Sequence, residues 1–197
     1  MKKIIAYVLM AAAAVVAFIS CNQSPATTTV TNQPPSNDSL VKRGAYLVTF
    51  GGCNHCHTPK KFGPAGPEPD QSLLLSGHPS SVPVAFIDTA VLKNWVLFNG
   101  MTTAFVGPWG VSFAANLTSD STGIGNWTED QFFKALRHGK SKGLESNRTL
   151  LPPMPWDDMG KLTDEDMKAL FAYLKSTKPV KNVVHMAIPP NMLNKKG

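Results

Sequence analysis

Cys53-Asn54-His55-Cys56-His57 places two thiols and two imidazoles within five residues. Thiolates and neutral imidazoles bind metals well, and a Cys-x-x-Cys pair is also redox-active. A structural zinc site takes four ligands, commonly from two separated pairs. The chain has three cysteines in all, and His78, His138 and His185 stand alone, so no second pair completes a zinc shell. A thioredoxin-like dithiol sits beside a strand in an α/β unit. Around Cys53 the pattern is helical with turns, which disfavours that exported-dithiol reading without removing it.

A third chemistry uses the whole C-x-x-C-H string, the attachment signature for c-type haem. The two thiols add to two vinyl groups as thioethers, and His57 binds the iron from the same side. Asn54 and His55 are then mainly spacers. A Met in the opposite axial position makes an electron-transfer haem and raises its potential. Of eight methionines, Met1 and Met10 lie in the N-terminal apolar segment, and Met186 and Met192 lie in the tail. Met167 shares an apolar helix face with Leu170, Phe171 and Leu174. Met154 is different: it lies in "LLPPMPWDD", among Pro152, Pro153 and Pro155. Proline fixes φ and removes a backbone donor, so this thioether is held on a stiff loop and loses little entropy on meeting iron. Met154 is the expected second ligand, with Met101 and Met159 in reserve. Phe62, Phe105, Trp109, Phe113 and Trp156 are expected to wall the ring.

Four helical segments are expected to position these groups, and few strand signals accompany them, so the expected fold class is all-α. The first runs near Ser39 to Phe50, with Leu40, Gly44, Leu47 and Val48 on one face. The second runs from Asp88 or Thr89 to Gly100, with Val91, Trp95 and Phe98 as its apolar side. The third has Thr128 as N-cap and Gln131 three residues later, a capping-box pattern, and ends at Gly139. The fourth has Thr163 as N-cap and Asp164, Glu165 and Asp166 in its first turn, where the helix dipole favours them. A Gly inside a helix suggests close approach of a partner, so Gly44 is expected to cross the last helix at Leu170 or Tyr173. The long segments "TPKKFGPAGPEPD" and "GPWGVSFAANLTSDSTGIGNW" are expected to be wrapping loops.

The N-terminus reads as an address. Two lysines precede an apolar run from Ile4 to Ile19, shorter than the roughly 20 residues that span a bilayer. Its end, Phe18-Ile19-Ser20-Cys21, resembles the lipobox of bacterial lipoproteins, which implies cleavage before Cys21 and lipid on that cysteine; an uncleaved anchor is the other reading. Residues 1–20 are thus the expected signal, 21–37 a flexible Thr- and Pro-rich tether, 38–180 the folded domain, and 181–197 an extended tail. The chain is expected to be exported to the periplasmic side and anchored to a membrane. Loss of Lys2 and Lys3 takes the formal charge from +6 to +4, and two haem propionates lower it to about +2. No basic stripe or nucleic-acid motif is present, so no nucleic-acid partner is expected.

Helix, C-x-x-C-H, loops, Pro-Met-Pro and a final helix, in that order, resemble a class I c-type cytochrome. The stretches "RGAYLVTFGGCNHCHTPK", "GPWGVSFAANLTSDSTGIGNWTEDQFFKALRHGKS" and "LPPMPWDDMGKLTDEDMKALFAYLKSTKPVKN" are similar to single-haem cytochromes and modules of bacterial membrane dehydrogenases for alcohols, aldehydes and sugar acids. The likeness covers about residues 40–182. It implies a class I cytochrome c fold and one covalent haem c. It also implies thioethers at Cys53 and Cys56, with His57 and Met154 as axial ligands. Function is then the carriage of single electrons between exported redox partners: a dehydrogenase, an oxidase or another cytochrome. A haem enzyme with a labile sixth ligand, peroxidase-like or acting on a small molecule, is the rival expectation.

Overall fold

The structure, a computed structural model, describes residues 36–194. Ser36 caps the first helix, α1 (Asn37–Phe50), by accepting the Ser39 N–H at 3.3 Å. Gly44, Leu47 and Val48 form its buried face. The last helix, here α5 (Asp164–Ser176), starts at Thr163, whose hydroxyl accepts the Asp166 N–H at 3.1 Å. Met167, Ala169, Leu170 and Leu174 are its buried face. These two helices cross at Gly44, where the neighbouring chain is Ala169 and Tyr173. Absence of a side chain at Gly44 permits that approach. Arg43 donates to Asp166 across the same crossing at 2.7 and 3.1 Å. This surface ion pair contributes little beside the apolar contact beneath it.

Between them lie α2 (Cys53–His57), α3 (Glu129–Arg137) and α4 (Trp156–Met159). The capping box of α3 is present: Thr128 Oγ1 accepts the Gln131 N–H at 3.2 Å, and Gln131 Oε1 accepts the Thr128 N–H at 3.0 Å. Gly139 follows with φ +62° and Trp156 packed over it. Phe132 and Leu136 join Leu47, Val48, Leu75, Ile124 and the α5 face in one hydrophobic core.

The all-α expectation is wrong. Five helices share the described chain with two small antiparallel sheets. One is the hairpin β1 (Lys60–Gly63) and β2 (Gly66–Pro69). The other has the order β3 (Leu97–Phe98), β4 (Ala104–Gly107), β5 (Gly110–Phe113). Both segments expected to be structureless wrapping therefore carry hairpins. The two tight turns have the same sequence form, Gly63-Pro-Ala-Gly66 and Gly107-Pro-Trp-Gly110, and pair their flanking glycines. Proline presets the first turn residue, and the closing glycines adopt φ +107° and +92°. That repeat is a legible hairpin signal.

The expected helix from Asp88 to Gly100 does not form. A 3₁₀ turn at Val91–Lys93 is followed by β3, with Leu97 opposite Val106 and Phe98 opposite Phe105. Trp95 and Phe98 are 69% and 66% exposed. A short helix depends on burial of its apolar stripe; with that stripe in water, pairing with β4 wins.

The expected extended tail is pinned to the body. Asn182 donates through Nδ2 to the Ser76 and His78 carbonyls at 2.7 and 2.8 Å and accepts the Ser80 N–H at 3.0 Å. Ile188 and Val111 exchange backbone hydrogen bonds at 2.8 and 3.0 Å. Residues 1–35, which contain the expected signal, Cys21 and most of the expected tether, lie outside the described residues. Among the described residues, no helix is long and apolar enough to cross a membrane.

Candidate functional site

α1 ends at Phe50, and Gly52, at φ +66°, turns the chain into α2. On this short helix Cys53, Cys56 and His57 are spaced i, i+3, i+4, which puts them on one face. All three line a cavity of about 350 Å³, and no disulfide joins the two thiols. Met154 lines the same cavity, although 97 residues separate it from His57. The remaining wall is mostly apolar and includes Phe105, Phe113, Leu117 and Leu150.

His57 is buried, and its Nδ1 lies 2.8 Å from the Ala115 carbonyl. That acceptor fixes the ring's tautomer and leaves Nε2 for a metal. Burial lowers the His57 pKa against the opposing pull of the Ala115 carbonyl, so the neutral, ligating form is favoured. The backbone on both sides of this contact is set by Gly77. Its N–H donates to the His57 carbonyl at 2.8 Å. Its φ of +78° lets the 114–115 carbonyls come close. Burial raises the pKa of both Cys53 and Cys56; in an apolar wall the neutral thiol is preferred.

The proline loop is held from behind. Ser112 on β5 donates its hydroxyl to the Pro152 carbonyl at 2.6 Å and accepts Trp109 Nε1–H at 3.2 Å. Leu150 N–H donates to the Gly139 carbonyl at 2.6 Å, and Trp156 N–H donates to the Met154 carbonyl at 2.9 Å. The Met154 thioether is thus carried on a segment fixed at both ends.

Other expected roles divide. Phe105 and Phe113 line the cavity, as expected of wall residues. Trp109 is part of the clamp on Pro152, Trp156 packs on Gly139, and Phe62 lines a different cavity. Met159 lines the same cavity as Met154, whereas Met101 lines the other one. His55 is exposed, and its carbonyl accepts from Lys60 Nζ at 2.6 Å and Thr102 Oγ1 at 2.5 Å. Two contributors carry no sequence signature of their own. One is the Ala115 carbonyl, a main-chain atom. The other is Arg148, which lines the cavity, is lowered in pKa by burial, and donates to the Thr149 carbonyl at 2.9 Å.

The donor set and the cavity fit a haem. Two thiols and an imidazole lie on one helical face, a thioether comes from a separate loop, the wall is mostly apolar, and Arg148 adds a cationic side chain to it. A family model described as Cytochrome c matches residues 41–178. The chain is 35% identical over 139 residues to the gluconate 2-dehydrogenase cytochrome c subunit of Pantoea cypripedii, covering 70% of this chain and 23% of that protein. It is 34% identical over 143 residues to the fructose dehydrogenase cytochrome subunit of Gluconobacter japonicus, covering 71% and 22%. It is 31% identical over 155 residues to the cytochrome c subunit of alcohol dehydrogenase (quinone) of Gluconacetobacter polyoxogenes, covering 78% and 25%. The chain thus spans about a quarter of the length of these curated relatives. The match over residues 41–178, laid on a cavity that gathers the C-x-x-C-H residues, shows that the chain belongs to the cytochrome c family, whose covalently held haem serves electron transfer.

Proposed function

We propose that the chain is a monohaem carrier that moves one electron at a time between exported redox partners. Cys53 and Cys56 form the two thioethers, and His57 and Met154 are the axial ligands. The bound iron supplies the ferric–ferrous couple. The protein's own groups do the rest: Ala115 orients His57, the Ser112–Trp109 pair holds the Met154 loop, and the apolar wall excludes water. Arg148 is placed to meet a propionate, by a charge-assisted hydrogen bond. The carrying observation is that Cys53, Cys56, His57 and Met154, from distant parts of the sequence, line one apolar cavity. A methionine in the wall of the cavity that holds His57 favours a closed, two-ligand iron and hence a carrier over a haem enzyme.

Met154→Ala tests this directly. The variant is expected to lose the red-region Met–iron charge-transfer band and to fall in midpoint potential by on the order of 100 mV, within the roughly 0.8 V range that axial ligands span. Met159→Ala is expected to keep both. A band lost in Met159→Ala and retained in Met154→Ala would transfer the ligand role to Met159.

The relatives' names support a dehydrogenase subunit as electron donor; an oxidase or another cytochrome suits the accepting side. The reading places the folded part on the periplasmic side, behind a signal at residues 1–20, with lipid on Cys21 and a tether to residue 37. Two acyl anchors suffice for stable membrane attachment. Cys21→Ala is expected to shift most of the protein from the membrane fraction to the soluble fraction; an unchanged distribution rules out lipid at Cys21 as the anchor.

A further inference from the structure

A second cavity, of about 470 Å³, has His78, Phe62, Phe86, Phe98, Val84 and Phe113 in its wall. Phe113 also lines the cavity that contains Met154, so one aromatic side chain is common to both. Electron transfer gives the second cavity no task. Its aromatic wall is left in water: Phe86 is 82% exposed, and Phe62 and Phe98 are each 66% exposed. Contiguous exposed apolar surface of this kind marks a binding site more often than a bare surface.

The cavity also has a polar end. His78 is 2% exposed. Its Nδ1 lies 2.9 Å from Thr103 Oγ1, and Asn99 Nδ2 donates to that same hydroxyl at 3.4 Å. Thr103 is fully buried, and among the described residues its hydroxyl proton meets no acceptor except Nδ1, which leaves the neutral ring's proton on Nε2 as a donor. Nε2 is buried and has no hydrogen-bond partner among the described residues. Burial lowers the His78 pKa and keeps the ring neutral; the Val82 carbonyl pulls the other way without reaching hydrogen-bond geometry. Buried side-chain donors are nearly always satisfied, and an exception calls for a ligand, an ion or water. The ring is flanked by Phe113 and His185, at centroid distances of 4.9 and 5.9 Å.

The geometry points to a binding site for a small neutral arene that bears one oxygen acceptor. Its ring lies against the phenylalanine wall in the offset or edge contacts aromatic pairs prefer, and its oxygen accepts the His78 Nε2–H. An anionic ligand is disfavoured, because the wall is largely apolar and Asp88 stands in it. Phenols and aryl ketones share this chemistry. Binding requires no haem ligand to move, so the site stands or falls separately from the axial-ligand assignment.

Calorimetric titration of the full holoprotein with p-cresol, acetophenone and toluene tests the site. At least one oxygenated arene is expected to bind tenfold or more tightly than toluene; which of the two does so tells a phenol site from a ketone site. His78→Leu is expected to erase that margin while leaving toluene binding within about threefold. Val84→Trp, at a 40% exposed wall position, is expected to abolish saturable binding of all three. No saturable binding of either oxygenated arene to the wild-type protein overturns the proposal, as does a margin that survives in His78→Leu. Should His78→Leu fail to fold, the wild-type margin and its loss in Val84→Trp decide the matter, and the absence of either overturns the site.

Discussion

Gly77→Ala is expected to weaken the fold and to raise the midpoint potential together. Gly77 has φ +78°, and a Cβ there would lie 2.5 Å from the Ala114 carbonyl oxygen and 2.6 Å from that of Ala115. The left-handed conformation costs an L-residue about 1–2 kcal/mol, and the crowding of backbone adds a further ~1–3 kcal/mol. The loss is therefore put at about 2–5 kcal/mol, read as a lower urea midpoint at unchanged m-value. The potential responds because the displaced Ala115 carbonyl is the acceptor for His57 Nδ1. A weaker acceptor makes His57 a poorer donor and disfavours the ferric state. A hydrogen bond worth about 1 kcal/mol corresponds to roughly 40 mV for one electron. Gly66→Ala separates strain from ligand tuning: it shares a positive φ, +107°, but a Cβ there meets nothing within 4 Å. It is expected to lose about 1–2 kcal/mol with no change in potential. Equal potentials in wild type and Gly77→Ala, with haem fully attached, would sink the positioning role.

What could be read from the sequence was what is encoded locally. The Thr128–Gln131 box and the Thr163 cap act over three residues, so their partners are in the string itself. The C-x-x-C-H face follows from helical spacing alone. The prolines around Met154 mark it as a presented residue, and it lines the cavity with His57 across a long stretch of chain. Failures came where pairing decided. Val91, Trp95 and Phe98 follow a helical period, but only tertiary burial turns a period into a helix, and Trp95 and Phe98 stay exposed. The hairpins at Gly63-Pro-Ala-Gly66 and Gly107-Pro-Trp-Gly110 have a readable turn form, but it carries no helical period. Ala115 acts through a carbonyl that every residue has, so no sequence feature could single it out. Asn182 pins the tail to segments more than 100 residues earlier, a pairing with no local trace.

Gly44→Ala sets two effects of opposite sign against each other. In an exposed helix interior this change gains about 1 kcal/mol from propensity. At Gly44 the added Cβ would run into the Ala169 carbonyl oxygen, and it would lie 2.7 Å from the carbonyl carbon and 2.6 Å from Tyr173 Cβ. None of these is the free end of a flexible side chain. Relief requires α1 and α5 to separate, which loosens Leu47 and Val48 from Met167, Leu170 and Leu174. Overpacking of this kind typically costs 1–3 kcal/mol, more where backbone must shift, so packing wins and the net loss is put at about 2 kcal/mol. Lys42→Gly, at an exposed α1 position, is the control and is expected to lose about 1 kcal/mol by propensity alone. Urea unfolding of the three proteins reads the sign. A Gly44→Ala variant more stable than wild type would mean that the helices do not meet here. A less stable one fixes the crossing from which α1 leads through Gly51 and Gly52 to Cys53.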